Sequence, residues 1–407
     1  MKRPHEFVCV SVVQQSSKKD KRRPALSSID PAAKTVSQSK LPAISLGERP
    51  GMLEIDGSEQ SGSGTIVRDA VPFSILTGQE IHLRNIRAKR DKPGLRPQHL
   101  KVLQAAASLC GGELSGETVG SKEIWFRPGK AIKGGTFTWD IGTAGSTSML
   151  ALSLIPLGLF ADAASTYRMT GGLFQDFAPS LFHLEHVLLP TVRRMGVEAE
   201  VRIIQPGYVP KGGGRIGLRI TPAKGAFGPL NLITQGRVKA IRGIALASRL
   251  KERKVSHRMG RECERALERR GLHPEIELLY DEKDEPAFDA PSIQPGAALA
   301  VWAETDTGSL IGADMAGARG RTAEFIGKRT ASDLLAGLDS GATVDRHLAD
   351  QVIPFAALAE GTSTFRVPPV TEHVEARLWL VEKLLGAKST VRENVVTIEG
   401  IGFRREP

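Results

Sequence analysis

His373 follows Pro368-Pro369-Val370-Thr371-Glu372 and opens a run with helical spacing. An imidazole at a helix start is easily held in one orientation. Its neutral form is nucleophilic near physiological pH, and a phosphoramidate formed on it is reactive enough to pass the group on. Upstream lies His347-Leu348-Ala349-Asp350-Gln351. A carboxylate there can orient a ring or help hold a metal, and an amide can donate to a phosphate or a base. Much earlier comes a basic block, Arg87-Ala88-Lys89-Arg90-Asp91-Lys92-Pro93-Gly94-Leu95-Arg96-Pro97-Gln98-His99. Guanidinium forks bind two phosphate oxygens while neutralising their charge. Each segment also has a plain structural reading. His373 can bond to nearby backbone, Asp350 and Gln351 can cap or pair within their helix, and surface arginines are usually solvated.

Other chemistries find no support. Gly62-Ser63-Gly64 is not followed by Gly-Lys-Ser/Thr and makes no phosphate-cradling loop of that kind. No Cys/His cluster has zinc spacing, and no Gly-x-Ser-x-Gly marks a serine hydrolase. Pro210-Lys211-Gly212-Gly213-Gly214 allows close backbone approach, although a tight hairpin turn explains its glycines almost as well. Aromatic residues make up 5% of the chain, too few for an extended base-stacking platform.

Composition sets the frame. The 407 residues, 41% hydrophobic and 25% charged, suit a soluble globular protein large enough for two domains. The longest apolar stretch, 148–163, is broken by Ser153, Pro156 and Gly158, so no membrane span is expected. Residues 1–15 lack the apolar centre of a secretory signal. Cys9, Cys110 and Cys263 are too scattered for a disulfide framework and favour a reducing compartment. Of the net charge of +10, residues 1–50 carry +6, from ten Lys/Arg against four Asp/Glu. That segment, rich in Ser, Lys, Pro and Gln, reads as a disordered basic tail. Its run Lys18-Lys19-Asp20-Lys21-Arg22-Arg23 fits a nuclear-import signal, a nonspecific RNA contact or a solvated charge run.

From Met52 strands and helices recur in blocks, an α/β or α+β texture. Strands are expected near 81–86, 124–126, 136–139, 197–204 and 215–220. Helices are expected over about 100–109, ending at Gly111-Gly112, and over 146–159 and 181–195. The texture changes between about 229 and 319: strands near 238–247, 275–280 and 297–304 surround a charged helix at 254–270. Further helices are expected at 323–338, 347–359 and 373–385, the last with Val374, Leu378, Val381 and Leu385 on one face, and a strand at 395–398.

The 87–99 block, Pro210–Gly214, Trp302-Ala303-Glu304-Thr305 and Val344-Asp345-Arg346-His347-Leu348-Ala349-Asp350-Gln351 occur in an order and spacing that resemble the RNA 3′-terminal phosphate cyclase family, from about Ile55 to Gly402. The resemblance implies an α/β (α+β) fold. A larger domain of three repeated units, each a four-stranded sheet backed by two helices, would span 51–230 and 320–407, with a smaller α/β domain inserted at 231–319. It implies ATP-dependent conversion of an RNA 3′-terminal phosphate to a 2′,3′-cyclic phosphate through a histidyl-AMP intermediate. His373 would be the nucleophile. Asp350, Gln351, Pro179 and His347 would bind ATP, while Arg68, Arg87, Arg90 and Gln98 would bind the RNA phosphate. ATP and a divalent metal, magnesium or manganese, would be the cofactors; the metal's ligands are not assigned. The partner would be RNA with a 3′-phosphate end, with no membrane and no protein partner assigned, and nuclear residence would follow from the tail.

Several positions depart from the family pattern. Ser61 and Thr65 stand for a glutamate and a glutamine, and a neutral hydroxyl is a poor ligand for a hard cation. Glu59 is the nearest carboxylate that could compensate. Leu152 replaces a glutamine, and Leu173-Phe174 replace polar residues, which would remove hydrogen bonds from the nucleotide pocket. These changes motivate a second reading, a catalytically impaired scaffold in RNA processing or ribosome biogenesis.

Overall fold

The computed structural model describes residues 51–404; the basic tail and its Lys18–Arg23 run lie outside the described residues. The chain begins with β1 (Leu53–Asp56), α1 (Gly64–Thr77), β2 (Ile81–Arg84), α2 (Pro97–Cys110), β3 (Glu113–Ser115) and β4 (Ile124–Arg127). β1 and β2 pair in parallel, which requires the α1 crossover; β3 and β4 then add antiparallel, giving the order β1-β2-β4-β3. The pattern repeats in β5 (Gly135–Asp140), α3 (Thr147–Leu159) and β6 (Ser165–Gly171). A broken helix comes next, α4 (Leu181–His183) and α5 (Leu189–Arg193), then β7 (Glu198–Gln205) and β8 (Gly214–Thr221). The sheet order is β5-β6-β8-β7. Leu184–Leu188, between α4 and α5, forms a π turn just before Pro190, which has no N–H for the α-helical ladder.

β9 (Asn231–Leu232) starts a third such sheet, but the chain leaves it at once. It builds β10 (Val238–Ser248), α6 (Val255–Glu268), β11 (Pro274–Asp281), β12 (Gly296–Thr305), β13 (Leu310–Ala316) and α7 (Ala323–Asp339). It returns through α8 (Leu348–Gln351), α9 (Ile353–Leu358), β14 (Glu360–Arg366), α10 (Glu372–Leu385), β15 (Lys388–Arg392) and β16 (Val395–Ile401). The third sheet is β9-β14-β16-β15 and the fourth β11-β10-β12-β13, so the described residues form four four-stranded sheets with helices. The helix expected over 347–359 is two short ones, divided just before Pro354.

The fourth sheet is covered on both faces, which explains the near-continuous apolar runs of β10 and β12. Ala245, Leu299 and Val301 point toward Met259, Cys263, Ile326 and Leu334 of α6 and α7. The alternate residues Ile244, Leu246, Ala300 and Trp302 join the core of the other sheets. α7 therefore packs with α6 on this sheet, although its sequence texture resembles that of the C-terminal helices. α1 is enclosed by α2, α3 and α10, with every residue from Gly64 to Leu76 buried.

Candidate active site

α10 begins at Glu372 because Thr371 caps it, its side chain accepting from the Val374 N–H. This puts His373 in the first helical turn, facing α1. Thr65 Oγ1 lies 3.1 Å from His373 Nδ1, and Arg68 Nη2 donates to the same oxygen at 3.2 Å. Burial pushes the imidazole pKa below its ordinary value. The Asp350 carboxylate opposes this, while Arg68, Arg377 and Arg90 add to it. The ring is therefore neutral at neutral pH. Arg68 is itself buried, and loss of hydration brings its pKa down to about 10.

One turn beyond His373, Arg377 is 2% exposed. Its Nε donates to Asp69 Oδ2 at 2.7 Å, and its Nη1 lies 3.1 Å from Asp350 Oδ2. This Asp69–Arg377–Asp350 chain ties α1, α10 and the end of α8 together beneath the histidine. Asp350 thus faces Arg377 and acts on His373 through its field.

The 87–99 block contributes in a divided way. Arg90 is exposed and its field reaches His373. The Arg87 guanidinium turns into its own loop, donating to the Lys92 carbonyl at 2.6 Å and the Gly94 carbonyl at 2.9 Å. Gln98 Oε1 accepts from the N–H of Ser146, the residue that caps α3, and so joins the first two units. His99 is buried against α1, with the Arg96 N–H directed at its Nδ1 at 3.3 Å; burial holds its pKa well below the usual imidazole value. A Cβ at residue 64 would lie 2.3 Å from His99 Nε2, so only glycine fits there.

A cavity of about 580 Å³, within the range of small-molecule sites, lies alongside. Its wall includes His347, Asp314, Arg321 and Asp345, with Pro368 and Pro369, which lead into α10. Ala178 and Ser180 line it, and buried Pro179 between them offers its carbonyl to Ser148. Gln351 is buried with no partner for its Oε1. Behind the wall His183 Nε2 meets Asp345 Oδ2 at 2.9 Å. Burial alone would lower the His183 pKa, but the facing carboxylate outweighs it and the pKa is raised. Burial likewise opposes ionisation of Asp345, yet His183 and backbone donors bring its pKa down to about 2.

Leu152, Leu173 and Phe174 belong to the hydrophobic core, and none of them lines the cavity. Phe174 packs on Phe182 and Tyr208 with ring centroids 4.9 and 5.4 Å away. The apolar replacements thus fill the interior and not the wall of this cavity. Ser61 is buried with its hydroxyl 2.8 Å from that of Ser63, and Glu59 is exposed.

Residues 59–391 match the sequence profile described as RNA 3′-terminal phosphate cyclase. The chain belongs to that family. It is 37% identical over 342 residues to the RNA 3′-terminal phosphate cyclase of Methanopyrus kandleri, covering 84% of this chain and 95% of that protein. The proteins of the same name from Caldivirga maquilingensis and Archaeoglobus fulgidus are 38% and 37% identical, over 88% and 86% of this chain and the whole of each relative.

The cyclase family uses ATP. A resident divalent metal fits this site poorly. No group of three or more His, Cys, Asp or Glu side chains suited to a metal occurs among the described residues, and Asp69 and Asp350 both face Arg377. Sequence reasoning passed over Asp69, His99, His183, Asp314, Asp345 and Arg377 as site residues. A usable signal existed for two of them. Arg377 sits on the apolar face of α10 and Asp69 inside an apolar stretch of α1, and a charge so placed requires a partner.

Proposed function

We propose that this cyclase converts an RNA 3′-terminal phosphate to a 2′,3′-cyclic phosphate at the expense of ATP, with His373 carrying AMP between the two. The observation that carries the reading is the contact of Thr65 Oγ1 with His373 Nδ1 within the field of three arginines. Thr65 Oγ1 already accepts from Arg68, and in this reading its remaining lone pair accepts Nδ1–H, the tautomer the reaction requires. The Nε2 lone pair is then free for attack.

In this reading Nε2 attacks the α-phosphorus, a P–N bond forms, and the bond to the bridging oxygen breaks as pyrophosphate leaves. An RNA 3′-phosphate oxygen then takes the AMP, breaking the P–N bond. The neighbouring 2′-hydroxyl closes on the 3′-phosphorus and AMP departs. Arg68 and Arg90 suit the phosphate-facing side because both act on the ring's surroundings. Arg87 and Gln98 support the reading indirectly, Arg87 by fixing the loop that carries Arg90 and Gln98 by joining the first two units. Asp350, Gln351, Pro179 and His347 suit the nucleotide side: His347 lines the cavity, Pro179 lies between its lining residues Ala178 and Ser180, and Asp350 and Gln351 follow His347 on α8. A divalent ion enters only as the counter-ion of the triphosphate, and no step is routed through it.

The test is incubation with α-labelled ATP. Stable label on the wild-type chain, absent in His373→Ala of equal folding, is the expected result. An unlabelled wild-type chain that still captures RNA-processing or ribosome-assembly components would favour the scaffold reading, for which buried Ser61 speaks. Nuclear residence belongs to the proposal on the Lys18–Arg23 run alone, and a fluorescent fusion that stays cytoplasmic would end it.

A further inference from the structure

A second trough, of about 540 Å³, lies where the starts of α6 and α7 meet the Tyr208–Val209 turn and the Gly317–Arg321 loop. Its lining holds Arg253, Arg258, Arg319 and Arg321 and no carboxylate. Two of these are fixed by acids outside the lining, Arg258 by Glu324 at 2.6 Å and Arg321 by Asp176 at 2.9 Å. The other two, Arg253 and Arg319, are exposed and have no acidic partner among the described residues.

The backbone adds to this field. α6 follows Lys254, which gives it no side-chain cap, and has no acid in its first turn, so its dipole adds positive potential at the trough. The trough also has apolar surface in Val209, 58% exposed, and buried Ile326. Arg321 lines both this trough and the 580 Å³ cavity beside the histidine segment, so the two depressions adjoin.

We infer that this trough is a binding site for the phosphodiester backbone of the RNA strand leading to the 3′ end, separate from the residues that hold the terminal phosphate. Several guanidiniums spread along an open groove with no carboxylate suit a run of phosphates better than one compact anion. Continuity with the candidate active site favours the same RNA molecule over an unrelated polyanion. The inference rests on the proposed RNA substrate but on different residues.

The experiment uses the full chain, wild type and Arg253→Glu/Arg319→Glu. Fluorescence anisotropy is measured with 3′-phosphorylated oligonucleotides of 4 and 20 nucleotides over a range of salt, and α-label transfer from ATP is followed in parallel. Wild type is expected to bind the longer strand more tightly. The double variant should lose that advantage, about tenfold, and its salt slope on the longer strand should fall by about 1.4, from two lost single-strand phosphate contacts at roughly 0.7 each. Short-strand binding and label transfer should be unchanged. Equal affinity of wild type for the two lengths, or equal weakening of both lengths in the variant, would overturn the inference. Failure to label His373 alongside intact length-dependent binding would instead overturn the proposed reaction and leave the trough standing.

Discussion

Replacing Arg377 by leucine tests whether the buried charge chain under His373 serves stability and chemistry together. Arg377 is 2% exposed and Asp69 5%, and they meet at 2.7 Å, so the variant strands a carboxylate in the core. Removing one partner of such a pair costs about 3–5 kcal/mol, and urea denaturation followed by tryptophan fluorescence should show a loss of that size. Asp69→Leu/Arg377→Met removes both charges and should recover most of the stability, since apolar replacement of a buried pair is often neutral or better. Chemistry should not recover. In both variants Asp350 loses its arginine, and His373 loses one of the cations that hold its pKa down while keeping the carboxylate that raises it. The imidazole pKa then rises, and because the neutral ring is the reactive form, the acid limb of α-label transfer moves to higher pH. Equal stability of wild type and Arg377→Leu would refute the energetic argument. An unmoved acid limb in the double variant would refute the electrostatic one.

Thr65→Val removes the Nδ1 acceptor, and at about 1 kcal/mol for the hydrogen bond label transfer should fall roughly fivefold, with Thr65→Ser restoring it. Gly64→Ala places a methyl 2.3 Å from His99 Nε2 and 2.9 Å from Arg68 Nη1, so urea stability and label transfer should drop together. The His183–Asp345 pair should give the urea midpoint a pH dependence that His183→Gln flattens. Asp345, lowered to about 2, contributes stability above the unfolded carboxylate value of 3.8 that is lost as pH falls toward 2. His183, raised above 6.5, contributes stability that is complete below 6.5 and is lost as pH climbs through its folded value. A midpoint that does not vary with pH in wild type would dismiss the pair as a source of stability.

Local spacing alone specified much of this protein. Gly111 stops α2 in the left-handed conformation, Ser146 caps α3, and the apolar stripe of α10 places His373 at a helix start. These depend on neighbours a few residues apart, which periodicity and capping rules describe directly. The short strands β3 and β9, three and two residues long, carry too little pattern to be seen before their partners are known. The parts of the site that set its electrostatics are also non-local. Asp69 and Arg377 are 308 residues apart, as are Thr65 and His373, and His183 and Asp345 are 162 apart. Nor does the block around Arg87 reveal that one guanidinium folds inward onto the Lys92 and Gly94 carbonyls while Arg90 stays exposed. The sequence by itself determined which groups are available and where each helix begins. Tertiary packing alone decided which charges share a desolvated space, because burial and proximity, the two quantities that set their strength, exist only once distant segments meet.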